Sequence, residues 1–253
     1  MFVEAPIDTY HKWYSPRLGQ DFELKAYGHG GKPLVVFPSL GGRFFDFENF
    51  GMVEACRPFL EEGRLRIFAI DGRDNESWLN ESIPISERGQ RHETWESCVV
   101  QEVIPFVRQE SGTKSSRDMI AMGVSAGAFH AANFFFRHPD LCDILIGLSG
   151  VYSLGSFKSL GDYCDDHVYF NDPLRYLPHL SDPYYLDLFR KSLIILCVGQ
   201  GSWEEVCLPE TRRLSEILNG LGVPHWLDVW GQDVAHDWPW WRKQLPYFLG
   251  SVL

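Results

Sequence analysis

Six short apolar runs set the limits on what this chain can become. They are Pro33-Leu34-Val35-Val36-Phe37, Leu65-Arg66-Ile67-Phe68-Ala69-Ile70, and residues 118–122, 144–150, 192–198 and 225–230. Apolar residues on consecutive positions, rather than on alternate ones, belong to strands covered on both faces, as in parallel sheets. Stretches with helical spacing separate them: residues near 47–62, then 90–109, 126–137, 209–221 and 238–249. Strands alternating with helices predict a mainly parallel central sheet with helices on both faces, an α/β fold. Within 90–109, Trp95, Val99, Val103 and Phe106 or Val107 recur on one side, and Pro105 predicts a kink or an early end. Phe22-Glu23-Leu24-Lys25-Ala26-Tyr27 alternates like a half-exposed strand, and the residues before it read as an irregular or edge segment. Residues 151–191 are rich in Tyr, Asp and Pro and lack a sheet rhythm, which predicts a short cap insertion. A length of 253 residues suits one α/β domain over 1–253, and no repeat or linker divides it.

A net charge of −11 argues against nucleic acid or an anionic membrane surface as partner. No run is long enough to cross a bilayer. The start, Met1-Phe2-Val3-Glu4-Ala5-Pro6, shows no basic region followed by an apolar core, so a cytoplasmic location is expected. The six cysteines show no C-x-x-C pairing and no metal-like spacing with His, so no metal and no cofactor are expected. The sequence leaves the oligomeric state open.

Between the run at 118–122 and the helix at 126–137 lies Gly123-Val124-Ser125-Ala126-Gly127. This is G-x-S-x-G in a strand–turn–helix context, the nucleophile elbow. Such a turn strains the serine backbone, and neighbouring side chains must be nearly absent; Gly123, Ala126, Gly127 and Ala128 meet that need. A serine hydroxyl is a weak nucleophile until a base takes its proton, and the base needs a carboxylate to orient it. With this elbow the three follow in the order Ser, acid, His. Two histidines lie late enough. His225 begins the last strand, whereas His236 lies in the loop after it, at the strand end where active sites of such sheets gather. His236 is the expected base.

The acid is expected in the loop after 192–198, Gly199-Gln200-Gly201-Ser202-Trp203-Glu204-Glu205. Spacing alone does not choose between Glu204 and Glu205. Asp228 sits within a strand, and Asp233 and Asp237 are close in sequence to His236. Two backbone N–H donors are also needed for the oxyanion. Ala126 should supply one and the loop after 33–37 the other, through Leu40, with Ser39 and Gly41 as near alternatives. Trp78, Trp203 and Trp238 fall near predicted loop ends and are candidates to line a substrate pocket.

These residues resemble the esterase D-like branch of the α/β-hydrolases, which includes S-formylglutathione hydrolases, ferulic-acid esterases and mycolyltransferases. The resemblance runs from about Leu34 to the C-terminus. It rests on Gly123-Val124-Ser125-Ala126-Gly127, His138-Pro139-Asp140, Leu148-Ser149-Gly150, and His236-Asp237-Trp238 with Trp241-Arg242. It implies an α/β-hydrolase fold and a Ser–acid–His triad. The mycolyltransferase-like acid loop has its Glu six positions after its first Gly, which implies Glu205, and the same comparison matches Leu40 to the first oxyanion donor. Departures are the lack of an Asp directly after the strand and Ala126 where many members carry Met.

The expected activity is a serine hydrolase cleaving small-molecule carboxylic esters or thioesters through an acyl-enzyme on Ser125. Acyl transfer with the same triad is one alternative. A catalytically idle hydrolase fold used as a binding module is another.

Overall fold

The computed structural model describes residues 8–113, 115–157 and 160–253. Its strands are β1 Thr9–Ser15, β2 Gln20–Tyr27, β3 Lys32–Phe37, β4 Leu65–Ile70, β5 Ile120–Val124, β6 Ile144–Leu148, β7 Leu193–Val198 and β8 Trp226–Val229. They form one eight-stranded sheet in the order β1-β2-β4-β3-β5-β6-β7-β8. The β1–β2 and β2–β4 pairs are antiparallel. The pairs from β4–β3 to β7–β8 are parallel. The continuous apolar runs thus became the parallel part, and the alternating run became β2, with β1 as an edge strand. The run expected at 118–122 starts later, at Ile120. Asp118 is drawn out of the ladder by Lys32 Nζ, 2.5 Å from its carboxylate.

The helices are α1 Asp46–Asn49, α2 Met52–Ala55, α3 Arg57–Glu61, α4 Ile85–Cys98, α5 Ile104–Ser111, α6 Ala126–Arg137, α7 Asp166–Tyr169, α8 Pro173–Tyr176, α9 Pro183–Arg190, α10 Cys207–Gly220 and α11 Trp238–Val252. The helix expected near 47–62 is broken into α1, α2 and α3, because Gly51 adopts φ 76° between the first two and Pro58 opens the third. The helix expected at 90–109 runs from α4 into α5 through a widened π turn at Val99–Val103. Pro105, just beyond that turn, has no N–H to donate, and the wider turn absorbs the register change.

Adjacent residues of a strand face opposite sides. Val35 and Phe37 of β3 enter the core shared with α4, α5, α6 and α10, where Trp95, Val103, Phe134 and Leu218 pack. Leu34 and Val36 enter the opposite core, where Met52, Leu60, Trp241 and Phe248 pack from α2, α3 and α11. This two-sided cover is what makes consecutive apolar residues tolerable in β3, β5, β6 and β7.

The stretch 151–191 folds, over its described residues, into short helices, three of them capped by aspartates. Asp165, Asp172 and Asp182 accept N–H groups of Val168, Leu174 and Tyr184 at 2.9, 3.1 and 2.9 Å. Its Pro and Asp content is therefore helix-start chemistry, Pro173 and Pro183 each opening a helix behind an Asp cap. Among the described residues, no helix is long and apolar enough to cross a membrane.

Candidate active site

Ser125 stands between the end of β5 and the start of α6, with φ 56° and ψ −126°. That backbone is costly for a residue with a Cβ, about 1–3 kcal/mol, and survives only where its surroundings fix it. Here they do. The Ser125 N–H donates to Leu148 O at 3.0 Å. A Cβ on Gly123 would meet Gly127 O at 2.0 Å, and one on Gly127 would meet Phe37 O at 2.5 Å. The two glycines of the motif are needed for close approach: of the strand to its own helix, and of the helix to the end of β3.

His236 lies after β8, in a loop stitched to the loop that follows β7. The Gln200 and Gly201 N–H groups donate to Gly231 O and Val234 O at 3.2 and 2.8 Å, and the His236 N–H donates to Ser202 O at 3.0 Å. Gly199 and Gly201 permit this, since a Cβ on either would fall within 2.7 Å of Val234 O. The stitched loops carry His236 Nε2 to 2.9 Å from Ser125 Oγ. The ring is 18% exposed at its side chain, so one edge remains reachable from solvent. His225, the other late histidine, instead bonds Ser215 Oγ at 2.6 Å.

On the acid, the structure departs from the expectation. Glu204 Oε2 lies 3.5 Å from His236 Nδ1, and Glu204 is 1% exposed. Glu205, the residue implied by the loop comparison, is exposed at the surface. Trp203 explains the one-residue difference. It adopts φ 66°, and the Glu204 N–H folds back to Gly201 O at 3.3 Å. The tight turn aims residue 204 inward and leaves 205 outside. Ser149 Oγ donates to Glu204 Oε1 at 2.6 Å, and the Gly199 N–H reaches the same oxygen at 3.3 Å. Trp241 Nε1 donates to Ser149 Oγ at 3.1 Å. Ser149 lay in the Leu148-Ser149-Gly150 motif without an assigned role. Trp241 also packs edge-on against the His236 ring, with centroids 5.0 Å apart.

The loop expected to supply an oxyanion donor follows β3. The Gly41 N–H donates to Asp74 Oδ2 at 3.0 Å, and the Gly42 N–H to Ser39 O at 2.8 Å. Gly41 is thereby committed elsewhere, which separates it from Leu40 as a donor. Ala126 opens α6, and its N–H has no intrahelical acceptor. Asp74 is itself held by His130 Nε2 at 2.9 Å, both side chains being about 95% buried or more. No sequence pattern pointed to this pair. His92 stacks on His130, centroids 5.5 Å apart. Burial first, then the neighbouring His130 and Arg137, keep the His92 pKa well below its ordinary value.

The three tryptophans part ways. Trp78 is fully buried, packed among Ala126, Phe129, Leu154 and Val168. This overturns its expected contact with substrate, because it has no surface to offer a ligand. Trp203 is 71% exposed on the acid loop. Trp238 stacks on Phe50, centroids 4.3 Å apart and planes 6° apart. A groove of about 720 Å³ lined by Arg137, His138, Tyr169 and Tyr184 opens at the carboxyl end of α6. A helix of this length places it roughly 18 Å from Ser125, outside reach of the reacting atoms.

Cys207, the first residue of α10, is buried. Its Sγ lies 3.5 Å from His236 Nδ1. Burial above all, and then the Glu204 and Glu210 carboxylates, raise its thiol pKa far above the ordinary value.

No protein-family profile and no curated protein matches the sequence. Solved structures do match in shape. A ferulic acid esterase superposes with TM-score 0.75 at 15% identity, covering 97% of this chain and 96% of that one. An S-formylglutathione hydrolase from Staphylococcus aureus gives 0.69 at 15% identity, with 98% and 97% covered. The MPT51 protein of Mycobacterium tuberculosis gives 0.69 at 13% identity, with 96% and 97% covered. A likeness that spans nearly the whole of each chain, on a mainly parallel eight-stranded sheet with helices on both faces, means that this chain has the α/β-hydrolase fold.

Proposed function

We infer that the chain is a serine esterase acting on small carboxylic esters or thioesters. The observation that carries this reading is the 2.9 Å approach of His236 Nε2 to the hydroxyl of a backbone-strained Ser125. Ser125 Oγ attacks the acyl carbon while its proton passes to His236 Nε2. Glu204 faces the Nδ1 edge and stabilises the imidazolium that forms. The Leu40 and Ala126 N–H groups receive the oxyanion, each worth about 3 kcal/mol of barrier. His236 then returns the proton to the leaving alcohol or thiol. Water, deprotonated by the same ring, releases the acid and restores Ser125.

The acyl side is bounded by apolar surface. Leu40 and Phe50 are 51% and 43% exposed, and Trp238 stacks on Phe50 two residues after the base. The region 151–191 acts as the cap. Its Leu154, Phe157, Leu160 and Val168 pack with Ala126 and Phe129, directly behind the nucleophile. The solved structures of similar shape include a ferulic acid esterase and an S-formylglutathione hydrolase, which agrees with this substrate class. Among the described residues no two cysteines are paired, and a cytoplasmic setting fits that.

A fluorophosphonate probe and a short p-nitrophenyl ester test the reading together. Wild type should be labelled on Ser125 and turn the ester over, and Ser125→Ala should lose both at an unchanged unfolding midpoint. Labelling at another residue, or equal turnover in the alanine variant, would overturn it.

A further inference from the structure

His236 Nδ1 has two neighbours where orientation of the ring needs one. Glu204 Oε2 and Cys207 Sγ each lie 3.5 Å from it, and the three ligand-type atoms are all within 4.8 Å of one another. Glu204 and Cys207 are 1% and 2% exposed. Glu204 Oε1 is committed to Ser149 and Gly199, whereas the buried Oε2 has no hydrogen bond and is aimed at this cluster. Ligand atoms 2.0–2.3 Å from one tetrahedral ion stand about 3.3–3.8 Å apart. Both measured pairs already have that spacing.

We propose that Glu204, Cys207 and His236 form an inhibitory site for a thiophilic divalent cation, zinc foremost. A thiolate, an imidazole and one carboxylate select zinc over magnesium or calcium, which take oxygen donors. On binding, the Cys207 thiol gives its proton to solvent and its sulfur joins the ion. The imidazole stays neutral: its Nδ1 takes the ion, and its proton comes to rest on Nε2. Nε2–H then donates to Ser125 Oγ and has no lone pair left to accept the serine proton. The ion thus selects the tautomer in which the nucleophile stays idle.

The inhibitory consequence rests on the esterase reading, and metal binding does not. Cys164 is the exposed cysteine, so the experiment uses the full chain in a C164S background. Titration with Co²⁺ should give a sulfur-to-cobalt absorption band that Zn²⁺ abolishes and that is missing in C207A and in the near-isosteric C207S. Zn²⁺ should inhibit ester turnover reversibly by chelator. Half-inhibition in the Cys207 variants, each scaled to its own metal-free rate, should need at least about 10-fold more zinc, since loss of a direct ligand costs no less than loss of a group that only orients one. No band in wild type, a band that persists without Cys207, or equal zinc sensitivity in all forms would overturn the site. A cobalt band that depends on Cys207 in a protein without ester turnover would uphold the site and sink the esterase reading instead.

Discussion

Exchange of Glu204 for glutamine separates the two carboxylates of the acid loop by a calculable margin. On the proposed mechanism His236 becomes an imidazolium as Ser125 attacks, and its Nδ1 lies 3.5 Å from Glu204 Oε2. At an effective dielectric of about 20, two unit charges at that separation attract by about 5 kcal/mol. Loss of that attraction slows kcat by about 10³–10⁴. The amide also has a settled orientation. Its carbonyl replaces Oε1, because the Ser149 hydroxyl and the Gly199 N–H both donate there. Its NH₂ therefore faces Nδ1 and favours the tautomer with the proton on Nε2, which cannot take the serine proton. Glu205→Gln changes an exposed side chain and should leave kcat within about threefold. Steady-state hydrolysis of a p-nitrophenyl ester measures both, with fluorophosphonate labelling rates as a check independent of deacylation. KM should change little in either variant, since the lost attraction arises with the transition-state charge. A larger kcat loss in E205Q than in E204Q would refute the assignment.

Gly127→Ala should destabilise the fold by about 1–3 kcal/mol, because the new Cβ meets backbone at Phe37 O, 2.5 Å away, and Pro38 O, 2.8 Å away; an unchanged urea midpoint would contradict it. Asp74→Asn puts an NH₂ against either Gly41 N–H or the His130 ring. It should lower kcat about tenfold at constant KM, short of the 10²–10³ lost with a whole oxyanion donor, and ester kinetics would expose a KM-only effect as the wrong mechanism. For His92, the depressed native pKa means that the unfolded state binds more protons below about pH 6.5, so stability present above that pH is lost as pH falls. His92→Phe should remove up to ~1.4 kcal/mol per pH unit of that slope, read from urea unfolding between about pH 7 and 5; coincident slopes for the two proteins would reject the idea.

What could be read in the sequence follows from how local each determinant is. The parallel strands were legible because burial on both faces leaves only apolar residues, and the elbow because its two glycines stand at fixed spacing about the serine, although Gly127 answers a contact with distant Phe37. The approach of His236 to Ser125 was legible from chain order together with its place in the loop after the last strand, which set it apart from His225. Glu204 was not, since the choice between adjacent carboxylates depends on the left-handed backbone of Trp203, a residue whose side chain gives no hint of it. Trp78 misled for a related reason. Its place near a loop end suggested a rim, but loops can dip into the core, and there it lies beside His92, at 5.0 Å between ring centroids. The Asp74–His130 pair joins the loop after β4 to α6 across 56 residues, and no periodicity records such a contact.

The backbone itself gives independent reason to treat these residues as one site. Among the described residues three non-glycine positions have positive φ: Ser125, Ser149 and Trp203. One carries the hydroxyl that meets His236, one holds the carboxylate of Glu204, and one turns that carboxylate inward. Each strained position costs about 1–3 kcal/mol and would drift to glycine in a surface with no demand on it. Each is also held from outside itself: Ser125 by Leu148 O, Ser149 by its N–H on Cys197 O at 2.7 Å, and the Trp203 turn by the His236 N–H on Ser202 O and the Glu204 N–H on Gly201 O. Strain gathered at the ends of β5, β6 and β7, and at no other non-glycine position described, marks the place where the fold gives up stability to hold three side chains in register. The strain at Ser125 is what the G-x-S-x-G turn implies, whereas that at Ser149 and Trp203 is independent of the pattern, and it selects the same corner of the molecule.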